Sequence, residues 1–534
     1  MKNISKIYMI FGITLLVVAV VGSTLAYYVW NTSSEEETKI VTSIGSATVY
    51  FDGGSAIADA KLRPVESKEY GMIKNIKVSA NKTGLKFNMY LDITSIDEKL
   101  KNESFRYAFY KSDTLVKEGN FSTDYLTNNT VSCSYNNTKH IELLINEEVL
   151  TTVSNYTLYV WIDGANYDND IEMMNKTFNF KLHAEGTDAL VKEGTIPDIT
   201  QISDEMKSEN NLSYKILSDY YYADKTDVLN NGITYHYDPE HSLMADIGSN
   251  VRYYGASPNN YVYFNCSDYA NQTSSTCELW RIIGVFDGKV KLVRDTSIGS
   301  YSWDNKDTTT GAENNYGKND WTDARLMKLL NPGYDSETVG GSLYYNAKSG
   351  TCYNNANNAT KDCDFTSIGI KNSATRNLIQ EVVYNIGGWN INAVYSDFIY
   401  EKERGTTVYS GRPTTWTGKI GLMYPSDYGY AADFTKCKDA SGNDLNIGSY
   451  NSDVNDYQCR KNNYLYKNMY EWLLTPNSGS SYDVWSVLSP GNARHNYNMP
   501  YDSRGVRPVV FLSTTQEIES GEGTKNSPYQ LTVG

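Results

Sequence analysis

Apolar and polar residues alternate with period two over much of residues 39–185. Lys86-Phe87-Asn88-Met89-Tyr90-Leu91-Asp92-Ile93 is the clearest run, and 157–162 and 177–182 repeat the pattern more loosely. A period of two puts successive side chains on opposite faces of a strand. Strands joined by polar turns, with few helical runs, predict an antiparallel β-sandwich over 39–185. The one stretch there with helical periodicity is 141–150.

The chain turns polar between 186 and 212, which reads as a linker. Beyond 213 the texture is set by tyrosine, asparagine, glycine and tryptophan. Asp287-Gly288 sits between the apolar runs 279–286 and 289–294, the signature of a tight hairpin. A helix is expected over 320–330, capped by Asp320 and stopped by Asn331-Pro332-Gly333. A second is expected over 374–386, with Leu378, Ile379, Val382, Val383 and Ile386 on one face and Gly387-Gly388 at its end. Residues 506–512 read as a final strand. The region 213–534 is therefore expected to be one α+β domain.

A different pattern opens the chain. Residues 7–30 carry no charge, and a helix of that length spans about 36 Å, enough to cross a bilayer. Lys2 and Lys6 precede it and Glu35, Glu36 and Glu37 follow it, so the positive-inside rule leaves the N-terminus in the cytoplasm and the rest outside. Thr24-Leu25-Ala26 also offers the small residues of a cleavage site, so a permanent anchor and a removed signal peptide both fit.

Composition narrows the partners. The net charge of −15 over 534 residues disfavours nucleic acid, and the membrane is met only through residues 7–30. Hydrophobic residues at 40% are enough for real cores, and 46 tyrosines supply side chains with an apolar ring and a polar tip. Seven cysteines agree with export: Cys133, then three close-spaced couples. The simplest pairing is Cys266–Cys277, Cys352–Cys363 and Cys437–Cys459, each stapling a loop and contributing about 3 kcal/mol in the chain-entropy model. Cys133 is left as a buried thiol. No C-x-x-C occurs and the five histidines are scattered, so no metal or other cofactor is expected. Asp304-Asn305-Lys306-Asp307 has oxygen ligands suited to Ca²⁺, but reads more simply as a solvated turn.

Two parts of the chain resemble known families. Gly22-Ser23-Thr24-Leu25-Ala26-Tyr27-Tyr28, followed by Val49-Tyr50-Phe51-Asp52-Gly53-Gly54, resembles the exported β-sandwich proteins of the camelysin and biofilm-matrix type in Gram-positive bacteria. Further on, Glu278-Leu279-Trp280-Arg281-Ile282-Ile283-Gly284, Arg412-Pro413-Thr414-Thr415-Trp416, Met423-Tyr424-Pro425-Ser426-Asp427-Tyr428, Glu471-Trp472-Leu473-Leu474-Thr475-Pro476 and Gly505-Val506-Arg507-Pro508-Val509 resemble surface proteins of gut-dwelling Firmicutes. Those are in turn similar to the C-type-lectin-like superfamily, which includes formylglycine-generating enzymes. The resemblance implies a bacterial protein, membrane-anchored or secreted to the cell surface, with a lectin-like C-terminal domain.

That enzyme branch uses a redox-active cysteine pair near the domain's end. Here nothing after Cys459 matches it, and no Gly-x-Ser-x-Gly elbow accompanies the C-terminal histidines. The expectation is a binding protein rather than an enzyme, for an extracellular protein or glycan. In lectin-like binders the segment before the last strand carries ligand contacts. In this chain 481–504 is rich in Tyr, Trp, Asn, Arg and His, side chains that combine rigid aromatic area with adaptable hydrogen bonding. The candidate contacts are Trp485, Arg494, His495, Asn496, Tyr497, Asn498, Tyr501 and Asp502. The competing reading puts Trp485 in the core and the others in surface turns. A structural surface or matrix component, with the sandwich polymerising, is the alternative function.

Overall fold

The computed structural model describes residues 47–55, 57, 62–81, 83–122, 139–166, 171–187, 189–194, 196, 199–203, 206–208, 210–451 and 458–533. The expected span 7–30 and Cys133 lie outside these residues. Among the described residues no helix is long and apolar enough to cross a membrane. The chain is mostly β, in several sheets, and divides into two compact units, Met1–Ile196 and Pro197–Gly534.

The N-terminal unit contains β1 (Thr48–Asp52), β2 (Pro64–Val65), β3 (Met72–Ala80), β4 (Lys86–Ile96), β5 (Phe105–Lys111), β6 (Thr114–Asn120), β7 (Lys139–Glu148), β8 (Ser154–Asp163), β9 (Phe178–Thr187) and β10 (Leu190–Glu193). One sheet has the order β10-β1-β3-β8-β5-β6, with β2 beside β8, and the other the order β7-β4-β9. The alternation read in the sequence buries Val49, Phe51, Val78, Phe109, Leu158 and Val160 from the first sheet. They share one core with Phe87, Met89, Leu91, Ile141 and Leu143 from the second. Each such side chain contributes about 1.5–3 kcal/mol by leaving water. The helical period at 141–150 does not hold. Residues 139–148 are β7, whose pairing with β4 (Leu91↔Ile141, Met89↔Leu144) outweighs local periodicity.

His183 of β9 is nearly enclosed. Its Nδ1 lies 3.0 Å from Asp92 and its Nε2 3.3 Å from Glu185. Burial alone would lower its pKa, but the two carboxylates outweigh burial and raise it to about 9. A histidine whose folded pKa exceeds its unfolded value near 6.5 stabilises fully below 6.5, and that contribution disappears as pH rises through 9. The N-terminal unit is expected to lose up to about 3 kcal/mol between pH 6.5 and 9. Thermal unfolding of the wild type and of His183→Gln across that range checks this, and an equal slope in both proteins refutes it.

The expected linker 186–212 is narrower than its composition suggests. β9 runs on to Thr187, and β10 pairs with β1 in parallel (Thr48↔Leu190). Ile199 and Ile202 are buried in the C-terminal core. Asn211 caps the helix Leu212–Tyr222, its side chain accepting from the Tyr214 amide at 2.9 Å.

The main sheet of the C-terminal unit runs, in spatial order, Thr226–Asn230, Ile233–Asp238, Leu243–Ala245, Val251–Tyr253, Glu278–Phe286, Lys289–Arg294 and Val509–Leu512, with Tyr261–Phe264 also on Glu278–Phe286. The expected hairpin is present. Asp287 and Gly288 both have positive φ (47° and 72°), as a two-residue turn matched to strand twist requires. The last strand starts at Val509 rather than 506, because Pro508 has no N–H for the ladder; its carbonyl accepts from the Arg294 amide instead.

Both expected helices are shorter than the sequence suggests. Asp320 caps a single 3₁₀ turn, Trp321–Asp323, and Ala324 turns extended before the α-helix Arg325–Leu330. The second helix is Ser373–Leu378 alone. Val382–Asn385 is a strand paired with Thr415–Gly418, where β-branched Val382 and Val383 fit a pleat better than a helix. The three cysteine pairs join as expected, Cys266–Cys277, Cys352–Cys363 and Cys437–Cys459.

Candidate functional site

The segment 481–504 hangs from a smaller sheet of the C-terminal unit, ordered Ser300–Tyr301, Arg504–Gly505, Glu471–Pro476, Val484–Val487 and Ala493–Arg494. Its base is pinned by buried charge. Arg507 donates to both oxygens of Glu471 at 2.6 and 2.9 Å and to the Leu465 carbonyl at 2.6 Å. Arg504 donates to Ser486 Oγ at 3.0 Å and pairs with Asp502 at 2.9 Å.

The eight sequence candidates separate into two layers. Trp485 is fully buried, its Nε1 donating to the Trp389 carbonyl at 3.3 Å, so it is a core residue and not a contact residue. His495 is buried against the Trp485 ring, with centroids 5.2 Å apart. Its amide donates to Asn392 Oδ1 at 2.8 Å and its Nδ1 lies 2.9 Å from Asn477 Nδ2. Burial lowers its pKa to about 4, which keeps the ring neutral. Asn498 is buried too, its side-chain amide donating to the Arg494 carbonyl. These three support the segment from beneath. Arg494, Asn496 and Tyr497 are exposed, and Tyr501 and Asp502 are half-buried.

Two surface residues join Tyr501 that the sequence did not single out. The Tyr316 ring, 43% exposed, lies with its centroid 5.1 Å from Tyr482 and 6.1 Å from Tyr501. The three rings form a continuous ridge. The Tyr501 hydroxyl is held above its usual pKa by partial burial, then by Asp502 and Tyr316.

The ridge stands on rigid loops. Asn319 donates through Nδ2 to the carbonyls of Asn477, Ser480 and Asp483 at 3.0, 2.7 and 3.1 Å. Asn314 Nδ2 donates to Ser481 Oγ at 3.0 Å, and Arg412 forks onto Glu313 at 2.8 and 2.9 Å while reaching the Ser481 carbonyl at 3.2 Å. Gly317 has φ +93°, and a Cβ there would sit 2.3 Å from the Asp304 carbonyl oxygen, so only glycine allows this close turn beside Tyr316.

Asp304 itself is buried, and burial raises its pKa. It accepts from the amides of Lys318 and Arg325 at 3.0 and 3.2 Å and lies 3.4 Å from the Lys306 ammonium. The 304–307 segment is thus a structural turn bonded within the protein. Among the described residues no group of three or more His, Cys, Asp or Glu side chains is arranged to hold a metal ion.

A scan against protein-family models and a search of curated proteins found no match to this chain.

Proposed function

We propose that this chain is an exported bacterial surface protein, anchored or secreted through residues 7–30, whose C-terminal lectin-like unit binds an extracellular ligand while the N-terminal β-sandwich displays it. The observation that carries this reading is the ridge of Tyr316, Tyr482 and Tyr501, partly exposed on loops fixed by buried hydrogen bonds. Tyrosine presented on a rigid frame supplies contact area at low entropic cost. The disulfide pairs and the resemblance to surface proteins support an extracytoplasmic setting.

The test is a screen of the full oxidised chain on glycan and surface-protein arrays, beside a Tyr316→Ala/Tyr501→Ala variant. The expected result is a ligand whose affinity falls at least about tenfold in the variant, with the unfolding midpoint little changed. Binding that the variant retains would remove the ridge from the site.

A structural role in a surface layer or matrix is the second reading. Among the described residues β9 pairs only with β4, and its Phe178, Phe180 and Leu182 are only half-buried beside that open edge. An open edge of this kind accepts another strand. Concentration-dependent fibres in the electron microscope, with no array ligand, would favour this reading.

A further inference from the structure

Among the described residues fifteen non-glycine positions adopt positive φ. Nine are Asn or Asp, which tolerate the left-handed region, and five are the small residues Ser and Ala. The fifteenth is Tyr497, at φ 58°. A bulky side chain is disfavoured there, and such residues persist where the surroundings impose them. The surroundings do so here. The Asn498 amide donates to the His495 carbonyl at 3.2 Å, the Val484 amide donates to the Asn498 carbonyl at 3.2 Å, and buried Asn498 and His495 lock both sides of the turn.

Among the described residues no side-chain contact compensates for placing a tyrosine at that point. Tyr497 is 85% exposed, the most exposed large hydrophobic residue described. Among the described residues its side chain has no ring, cation or hydrogen-bond partner. Three positions earlier stands Arg494, also exposed. Every other arginine of the C-terminal unit donates to a carboxylate, amide or carbonyl oxygen; Arg494 alone has no side-chain partner among the described residues. In a chain of net charge −15 a solvent-facing, unpaired guanidinium three residues along the chain from a strained, exposed tyrosine is a distinctive pairing.

We infer that the turn carrying Arg494, Asn496 and Tyr497 binds a carboxylate-bearing sugar. The guanidinium fork matches a carboxylate with two parallel hydrogen bonds. The tyrosine face stacks on the apolar face of a pyranose, and the Asn496 amide bonds ring hydroxyls. A neutral sugar would leave Arg494 unused, and a small inorganic anion would leave Tyr497 unused. This assignment rests on the ligand-binding reading above and names the ligand class.

The test uses the full oxidised chain and two probes, sialyllactose and trigalacturonate, with lactose and the trigalacturonate methyl ester as neutral controls and a poly-glutamate peptide as the acidic-protein control. Calorimetry or ligand-observed NMR is expected to show binding of one or both acidic sugars and none of the neutral ones. Arg494→Gln is expected to weaken that binding by roughly 10–100-fold, the range of a charge-assisted hydrogen bond. Tyr497→Asn is expected to weaken it about tenfold while the unfolding midpoint stays level or rises, because asparagine tolerates the left-handed region. A structural tyrosine would instead lower the midpoint. Equal binding of acid and methyl ester overturns the inference, as does binding of the peptide alone. Array binding lost in Tyr316→Ala/Tyr501→Ala but untouched by Arg494→Gln overturns the inference and leaves the broader reading standing. No binding of any probe or array ligand overturns both.

Discussion

Asp427→Ala is expected to destabilise the C-terminal unit by about 3–5 kcal/mol, the range for removing one partner of a buried ion pair. Asp427 is fully buried at the start of the helix Pro425–Tyr430. One oxygen accepts from Arg252 Nη1 at 2.8 Å, and the other from Lys291 Nζ at 2.5 Å and from the Tyr424 amide at 2.9 Å. Burial pulls the Lys291 pKa down to about 8, and Asp427 is the first of the groups that oppose this. Without the carboxylate, Lys291 and Arg252 are stranded in the core, although Arg252 keeps Asp246. Urea unfolding followed by tryptophan fluorescence reads the effect as a lower midpoint at unchanged slope. Adding Lys291→Met removes one stranded charge and should restore at least half of the loss. A single-variant loss below about 1 kcal/mol would show that the network does not behave as a buried cluster.

Trp485→Ala should cost a similar amount, about 3–5 kcal/mol, as large-to-small changes of buried aromatics do. The indole is fully enclosed, contacts the His495 ring and donates to the Trp389 carbonyl. Its removal leaves a cavity and an unpaired carbonyl under the segment that presents Arg494 and Tyr497. The change is therefore expected to act on folding first, with any loss of ligand binding following from it. An unchanged unfolding midpoint with binding abolished would return Trp485 to the surface role that its position in the sequence suggested. Tyr497→Asn is the informative contrast, since it removes an exposed ring and is expected to leave stability intact.

How much could be read in advance follows how local each signal is. The Asp287-Gly288 hairpin and the close-spaced cysteine pairs are written in a few neighbouring residues, and both are found where expected. Periodicity at 141–150 and 374–386 misled because short apolar runs suit helix and strand alike, and pairing with β4 and with Thr415–Gly418 decided between them. Within 481–504 composition marked the segment but not its inside and outside. His495 and Asn498 carry the same polar chemistry as Arg494 and Asn496 yet face inward, which only the sheet beneath determines. Tyr316 was invisible in sequence terms. It joins Tyr482 and Tyr501 across more than 160 residues through Asn319 and Gly317, and no spacing rule connects positions so far apart.

The disulfides have a kinetic consequence. Their partners are 11, 11 and 22 residues apart, whereas Cys277 and Cys352 are about 75 apart. In an unfolded chain the local concentration of one thiol around another falls roughly as the −3/2 power of their separation, which favours an 11-residue closure over a 75-residue one by roughly tenfold or more. The native bridges are thus the ones that a newly oxidised, still unstructured chain forms first. Such a chain needs an oxidant but little reshuffling, and a reduced sample returned to air should regain its native pairing without an isomerase.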